Sequence, residues 1–486
     1  MSSLILVESV DLKQRTRTNC KIFSIVLSLI KSISGFRGTI GGRAGDNLTP
    51  QDIVECTAGY GQWLLNTTGN PKVVVGRDAR ISGEIVSQLV VNTLRSLGIN
   101  VLDLGLSTTP TVEMAVPAEK AGGGIILTAS HNPREWNALK LLNHKGEFIS
   151  AEDGAQVLDL VASGNIAYAP VDKLGTYRTD GSYLKKHLDA ILALPLVDAE
   201  AIKAKKYRIA FDAVNSTGAL SVPPLLEALG CSVFTINGDL SGQFAHNPEP
   251  LKEHLGQLAT EVRHQRAHLG IAVDPDVDRL VFMCEDGELF GEEYTLVAVA
   301  DYVLGKRGGG NTVSNLSSTR ALRDVTEKYG GQYFAAAVGE VNVVEKMKET
   351  KAIIGGEGNG GVILPELHYG RDALVGIALF LSHLANSGKQ ISTFRKTYPN
   401  YEMFKGRLEK AADLDLAKLF TALQQKYKNT ATFNTTDGLK LDFEDGWVHL
   451  RPSNTEPIIR VYSESTSQMV ASNLARKIMQ DTQDLK

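Results

Sequence analysis

From Ile30 to the C-terminus, short apolar runs alternate with longer segments whose apolar residues recur at helical spacing, and this alternation starts afresh several times. A short apolar run followed by a periodic segment reads as a strand and its crossover helix. Repeated strand–helix order builds layered α/β structure with parallel or mixed sheets. Thr49 ahead of Pro50 and Asp52 is a helix start: a cap, a first-turn proline and a carboxylate near the dipole. Residues 72–75 read as a buried strand ending at Gly76. Ile85, Val86, Leu89, Val90, Leu94 and Leu97 then recur at helical spacing, closed by Gly98. Residues 101–104 and 125–127 follow as strands.

The pattern restarts at residues 207–211, which run into a turn at 212–218, and at 269–273, which run into an acidic loop. Residues 312–315 and 352–354 open a third stretch. Gly308, Gly309 and Gly310 precede a strand without the Gly-Lys-Ser/Thr of a nucleotide loop and read as a connecting turn. In the last ninety or so residues, 447–450 and 458–462 read as strands flanking a polar loop. A final amphipathic helix there carries Met469, Val470, Leu474 and Ile478. A chain of 486 residues exceeds a single compact core. The expected architecture is α/β: three similar α/β domains with mixed sheets and a smaller C-terminal α+β domain around a central cleft. The expected boundaries are a leader at 1–27 and domains at 28–175, 176–288, 289–394 and 395–486.

Charge narrows the partners. Lys and Arg number 51 against 55 Asp and Glu, and no half of the chain is conspicuously basic, so nucleic acid is not expected. Lys13, Arg15, Arg17 and Lys21 precede an apolar run at 22–30, a loose imitation of a signal peptide. Glu8 and Asp11 spoil its basic region, and nine residues with two serines cannot span a bilayer. A disordered or misassigned leader is the preferred expectation, with no membrane association. Cys20, Cys56, Cys231 and Cys284 are scattered and form no metal-like pair, which reads as isolated thiols in a reducing, cytoplasmic compartment.

Four polar loops interrupt apolar strands, and loops at strand ends of α/β proteins are where ligands bind. The first is Thr128-Ala129-Ser130-His131-Asn132-Pro133. Ser130 is a candidate nucleophile and Lys140 a candidate proton carrier or phosphate partner. On this loop alone, a capped turn in which Ser130 bonds backbone is the better reading. No Gly-x-Ser-x-Gly elbow supports a serine hydrolase.

The second is Asp274-Pro275-Asp276-Val277-Asp278-Arg279. Alternate residues of an extended segment share a side, so three carboxylates converge and need a cation, with Mg²⁺ the suitable hard ion. An EF-hand is rejected, because Arg279 stands where that loop needs glycine. A solvated acidic turn is the plain alternative. The third loop, Gly355-Gly356-Glu357-Gly358-Asn359-Gly360-Gly361, offers an acceptor and an amide to sugar hydroxyls, or is a flexible hinge. The fourth, Arg451-Pro452-Ser453-Asn454-Thr455-Glu456-Pro457 with Arg460 beyond, is a phosphate cradle or a surface turn. No single loop decides; together they supply what phosphoryl transfer on a sugar requires.

With all four loops in order, the chain resembles the α-D-phosphohexomutase family from about Ile30 to its end. Ser34-Gly35-Phe36-Arg37-Gly38-Thr39 is similar to that family's opening signature. The resemblance implies that Ser130 is a phosphoserine and that Asp274, Asp276 and Asp278, with Ser130, bind Mg²⁺. It places Arg37, His131 and Lys140 near the phosphoserine and proton transfer. Arg279, Glu357 and Asn359 fall among substrate contacts, and Arg451, Ser453, Asn454, Thr455 and Arg460 where a substrate phosphate is held. The expected reaction interconverts hexose 6-phosphate and hexose 1-phosphate through a hexose 1,6-bisphosphate, in a monomer or homodimer.

Four departures bear on the sugar. The third loop reads Gly-Glu-Gly-Asn-Gly-Gly where many bacterial members have serine and then histidine. Asn454 stands where glycine is commoner, Asn137-Ala138 replaces a frequent Asn-Gly, and Gly339-Glu340 sits where some members carry histidine. These resemble the branch of archaeal-type phosphoglucosamine mutases, which implies glucosamine phosphate; glucose or mannose phosphate is the alternative. A non-catalytic sugar-phosphate sensor is the rival of another class, and it has no need of a metal-activated nucleophile.

Overall fold

The computed structural model describes residues 28–32, 35–410, 414–453 and 457–485; the expected leader at 1–27 lies outside the described residues. Three sheets share one plan. Each has a first strand flanked by its second and third in parallel, and the third turns back into an antiparallel fourth. The first sheet places Lys72–Arg77, Asn100–Leu106, Gly123–Leu127 and Trp136–Leu142 in this way, extended by Ile30–Ser32, Gly35–Thr39 and Tyr177–Thr179. The second repeats it with Arg208–Asp212, Ser232–Ile236, Leu269–Val273 and Leu280–Met283. The third uses Thr312–Asn315, Tyr333–Ala336, Ile354–Glu357 and Gly361–Ile363. The hairpin between third and fourth strands carries Ser130 in the first sheet, the three aspartates in the second and the glycine-rich turn in the third. One topology thus delivers three loops to one place. The C-terminal unit is an antiparallel five-stranded sheet backed by the helices Leu416–Tyr427 and Gln468–Asp484.

The helix Pro50–Thr68 starts as its sequence dictates: the Thr49 side chain caps Asp52 N–H, and Asp52 reaches back to Thr49 N–H. The second and third sheets share one hydrophobic core. The helix Ala373–Ser387 is buried along nearly its whole length, and Phe380 stacks on Phe282 at 3.7 Å between centroids. The first and last units keep cores of their own.

Three local expectations need correction. The strand expected at 352–354 begins at Ile354 and runs on through Gly355, Gly356 and Glu357, which pair with residues 361–363; only 358–360 form the turn. The aspartate loop is a closed turn and not an extended segment, with Val277 N–H donating to Asp274 O. In the last helix, Ala471, Ala475, Ile478 and Thr482 face the core while Met469 lies exposed, because the apolar stripe is set by small residues. Among the described residues, no helix is long and apolar enough to cross a membrane, and Cys56, Cys231 and Cys284 are free and buried.

Candidate active site

Ser130 adopts φ +46°, a conformation that costs a non-glycine residue strain and that marks functional loops. Its backbone is pinned from below. Asp78 accepts from Thr128 Oγ1 at 2.6 Å, and Thr128 Oγ1 accepts from Ser130 N–H at 2.9 Å. Arg80, buried and paired with Asp78 at 3.0 Å, donates to the carbonyls of Ser130, Asn132, Pro133 and Trp136. Sequence reading missed Arg80; the signal was a charged Arg77-Asp78-Ala79-Arg80 following an apolar strand. So held, Ser130 Oγ donates to Asp274 Oδ2 at 2.6 Å and lies 3.4 Å from His131 Nδ1.

The three aspartates are fully buried, and each has one oxygen committed to the protein. Asp274 Oδ1 accepts from the N–H groups of Asp278 and Arg279, both at 3.1 Å. Asp276 Oδ2 accepts from Thr109 Oγ1 at 2.6 Å and Lys140 Nζ at 2.7 Å. Asp278 Oδ2 accepts from Arg371 at 2.7 Å and Lys140 at 3.3 Å. Asp276 Oδ1 and Asp278 Oδ1 accept no hydrogen bond, and the cationic Arg279 Nε stands 3.9 Å from Asp278 Oδ1. A buried anionic oxygen without a donor is costly unless a cation meets it. The ligand atoms of the triad lie within 4.8 Å of one another. Two open oxygens, Asp274 Oδ2 and the adjoining Ser130 hydroxyl make an all-oxygen donor set that fits Mg²⁺. Val277, a β-branched residue at φ +64°, stores strain where the turn converges.

Burial and the neighbouring Asp278 and Asp276 push the Asp274 carboxyl well above the usual range. Burial acts on Asp278 too, but Arg371 and Lys140 outweigh it and hold that carboxyl below the usual range. Burial pulls Lys140 down, yet Asp276 and Asp278 more than offset it and keep it an ammonium. His131 is held neutral by burial and by Arg279.

Arg371 joins the loops. Besides Asp278 it donates to Glu357 Oε2 and Glu340 Oε2, both at 2.9 Å. Glu357 Oε1 accepts from Asn315 Nδ2 at 2.9 Å and Gly339 N–H at 3.1 Å, so this carboxylate is fully engaged by protein. Asn359 Oδ1 accepts from Gly361 N–H at 3.2 Å. Gly360, at φ +85°, leaves no room for a Cβ, which would meet Leu280 O at 2.1 Å; the glycine-rich turn therefore abuts the end of the aspartate loop. Arg279 reaches Glu249 at 3.3 Å. Sequence reading missed Arg371 and met Glu340 only beside Gly339 as a departure bearing on the sugar; the two pair across 31 residues, which leaves no local signal.

In the C-terminal unit, Arg451 pairs with Asp437 at 2.8 Å, and Ser453 N–H donates to Ile458 O at 2.9 Å. Asn454 and Thr455 lie outside the described residues. Arg460 is in register with Arg451 on one side and Arg407 on the other, so three arginines form a row across one face. Burial and the charge of Arg460 hold the Arg37 guanidinium below its usual value, so the two arginines stand within electrostatic reach of each other. Like charges gathered in this way suit an anion. Arg407 was also missed.

Four family models match in order: phosphoglucomutase/phosphomannomutase alpha/beta/alpha domain I at residues 30–165, domain II at 185–287, domain III at 291–401 and the C-terminal domain at 404–480. A phosphoglucomutase/phosphomannomutase of Thermococcus kodakarensis is 37% identical over 89% of this chain and 94% of its own. A phosphoglucosamine/phosphogalactosamine mutase of Sulfurisphaera tokodaii is 32% identical over 91% and 97%. Among solved structures, a phosphoglucomutase/phosphomannomutase family protein of Burkholderia thailandensis superposes with a TM-score of 0.82 at 24% identity, covering 95% of this chain and 97% of that one.

Proposed function

Since the chain belongs to the phosphoglucomutase/phosphomannomutase family and is accordingly a phosphohexomutase, an isomerase, we propose that it interconverts glucosamine 6-phosphate and glucosamine 1-phosphate through phospho-Ser130 and a bound 1,6-bisphosphate. The observation that carries this reading is the strained Ser130, whose Oγ lies 2.6 Å from Asp274 beside two donor-less aspartate oxygens.

In the forward direction the free C1 hydroxyl attacks the phosphorus of phospho-Ser130. The phosphorus–Oγ bond breaks as the new bond forms, and the hydroxyl proton passes to the neutral His131 beside the nucleophile, since Lys140 is already an ammonium. The bisphosphate then turns over in the cleft. Ser130 Oγ recovers the other phosphoryl group, and the departing C6 oxygen takes the proton back. Asp274, Asp276, Asp278 and Ser130 would hold Mg²⁺, which supplies neutralisation of phosphoryl charge when bound. Lys140 and Arg371 hold Asp276 and Asp278 in place. Arg37, Arg451 and Arg460, with Ser453, would hold the distal phosphate, and Asn359 and Arg279 would contact the sugar. Water must be kept from phospho-Ser130, or transfer becomes hydrolysis.

The amino sugar is favoured by the relatives that carry phosphoglucosamine mutase names across most of the chain. The free thiols suit a reducing compartment, and we place the reaction in the cytoplasm. The decisive experiment compares turnover of glucosamine, glucose and mannose phosphates with the matching bisphosphate as activator. Preference for glucosamine phosphate is expected; preference for a neutral hexose overturns the substrate assignment and leaves the mutase chemistry standing.

A further inference from the structure

Behind the aspartate loop, a second cluster is built from all three α/β units. Asp372 uses Oδ1 to cap its own helix, accepting from the N–H groups of Leu374 at 2.8 Å and Val375 at 3.3 Å. Its Oδ2 receives two imidazole edges, His187 Nε2 at 2.9 Å and His368 Nε2 at 3.3 Å. The ligand atoms of these three residues lie within 4.8 Å of one another. His187 and Asp372 are buried, and the His368 side chain is 12% exposed.

The outer ring nitrogens are also provided for. His187 Nδ1 lies 2.9 Å from Thr111 Oγ1. His368 Nδ1 faces Glu113 Oε2 at 3.4 Å, and Glu113, with a side chain 1% exposed, has no hydrogen-bond partner for either carboxylate oxygen. If Asp372 alone consumed both Nε2 protons, a neutral His368 would turn its Nδ1 lone pair toward the unpartnered Glu113 and require that carboxyl to be protonated, the form burial favours. A cation among the two Nε2 atoms and Asp372 Oδ2 removes that requirement. Both rings then bind through Nε2, and their Nδ1–H groups donate outward, to Thr111 and to Glu113. An outer acceptor on each imidazole is the arrangement by which metal-binding histidines are oriented.

We propose that His187, His368 and Asp372 form a second metal site, distinct from the aspartate triad, that takes zinc. Two neutral imidazoles and one carboxylate select a borderline ion over Mg²⁺. Ligand atoms of a tetrahedral zinc stand about 3.3 Å apart, given metal–ligand distances of about 2.0–2.1 Å. The 2.9 and 3.3 Å separations approach this spacing. A solvent molecule entering by the exposed edge of His368 completes four ligands. The consequence for the enzyme is mechanical. The helix Thr109–Ala118 that supplies Thr111 and Glu113 also supplies Thr109 to Asp276, and Arg371, next to Asp372, holds Asp278. Zinc there clamps both supports of the catalytic aspartates from behind.

The test titrates zinc into the full-length enzyme kept in excess Mg²⁺, then measures retained metal after gel filtration by elemental analysis, with Co²⁺ absorption reporting imidazole ligation. One tightly held zinc per chain is expected in the wild type and in the Asp276→Asn/Asp278→Asn double variant. Retention should be lost in His187→Gln/His368→Gln, and Glu113→Gln should weaken it about 10–100-fold. If the double histidine variant does not fold, His368→Gln alone, at the partly exposed edge, carries the same expectation. Substoichiometric zinc in the wild type overturns the site. So does zinc that disappears with the aspartates and persists without the histidines.

Discussion

The aspartate loop and the glycine-rich loop occupy equivalent hairpins of two sheets with the same strand order, yet they treat their carboxylates oppositely. Asp276 and Asp278 each commit one oxygen to protein donors and leave the other with none. Glu357 has Asn315, Gly339 and Arg371 on its two oxygens. The first loop is built to receive something; the second is closed on itself. Position in the fold makes a loop available, and the placement of donors decides whether it binds or braces. Arg371 belongs to both, pairing with an aspartate of the open loop and the glutamate of the closed one.

The largest effects should come from the open side. Ser130→Ala removes the group that the open oxygens serve, and turnover should fall by about 10⁴-fold or more. Intact-mass measurement of the purified protein, before and after phosphatase, should show a phosphorylated form in the wild type and none in the variant. A fully active Ser130→Ala enzyme without any phosphoserine would sink the mechanism. Asp276→Asn should cost about 10³-fold in turnover, corresponding to the several kcal/mol a metal contributes to phosphoryl transfer, and chelation of Mg²⁺ should mimic it. Stability should change by less than about 1 kcal/mol, since an amide oxygen still accepts from Thr109 and Lys140. A large loss of stability would mean that this loop, too, is a brace.

How much of this could be read from the sequence follows the same division. Ser130 and the aspartates announce themselves, because several reactive groups fall within a few residues after an apolar strand. The Thr49 cap and the strands Leu269–Val273 and Thr312–Asn315 were legible for the same local reason. Arg80, Arg371, Glu340 and Thr109 were not. Each acts on groups that only the fold brings beside it, 167 residues away in the case of Thr109 and Asp276. The strand Trp136–Leu142, which carries Lys140, hid for a related reason: its apolar pattern is broken by Lys140, which reaches the aspartates, and by Asn137, which bonds Ser82. The closed state of Glu357 was equally invisible, as glycines signal a turn without saying who bonds within it.

The closed side should show its character in stability. Arg371→Met leaves Asp278, Glu340 and Glu357 without their shared cation in a buried setting, and breaking such a cluster costs about 3–5 kcal/mol. Denaturant unfolding would measure it, and a loss below about 1 kcal/mol would show that the carboxylates find other partners or take up protons. Asp276→Asn and Arg371→Met should therefore differ in kind, one lowering turnover alone and the other lowering stability as well.

The smallest effect concerns how the C-terminal unit sits on the closed loop's neighbourhood. His449, buried in that unit, donates Nε2–H to Asp437 O at 2.6 Å and lies 2.9 Å from Ser317 Oγ, two residues from the Asn315 that braces Glu357. Burial, more than the nearby Lys440 and Arg451, pulls its pKa down to about 4. The unfolded chain, with an ordinary value near about 6.5, binds this proton first as pH falls, so between those values the unfolded state holds more protons. Stability is thus complete above about pH 6.5 and declines through the window toward pH 4, by about 3 kcal/mol in total. Unfolding midpoints for the wild type and His449→Gln between pH 7 and pH 4 would isolate the term, because the variant keeps a donor but cannot titrate. Parallel pH profiles for the two proteins would show that the docking of this unit does not depend on a neutral His449.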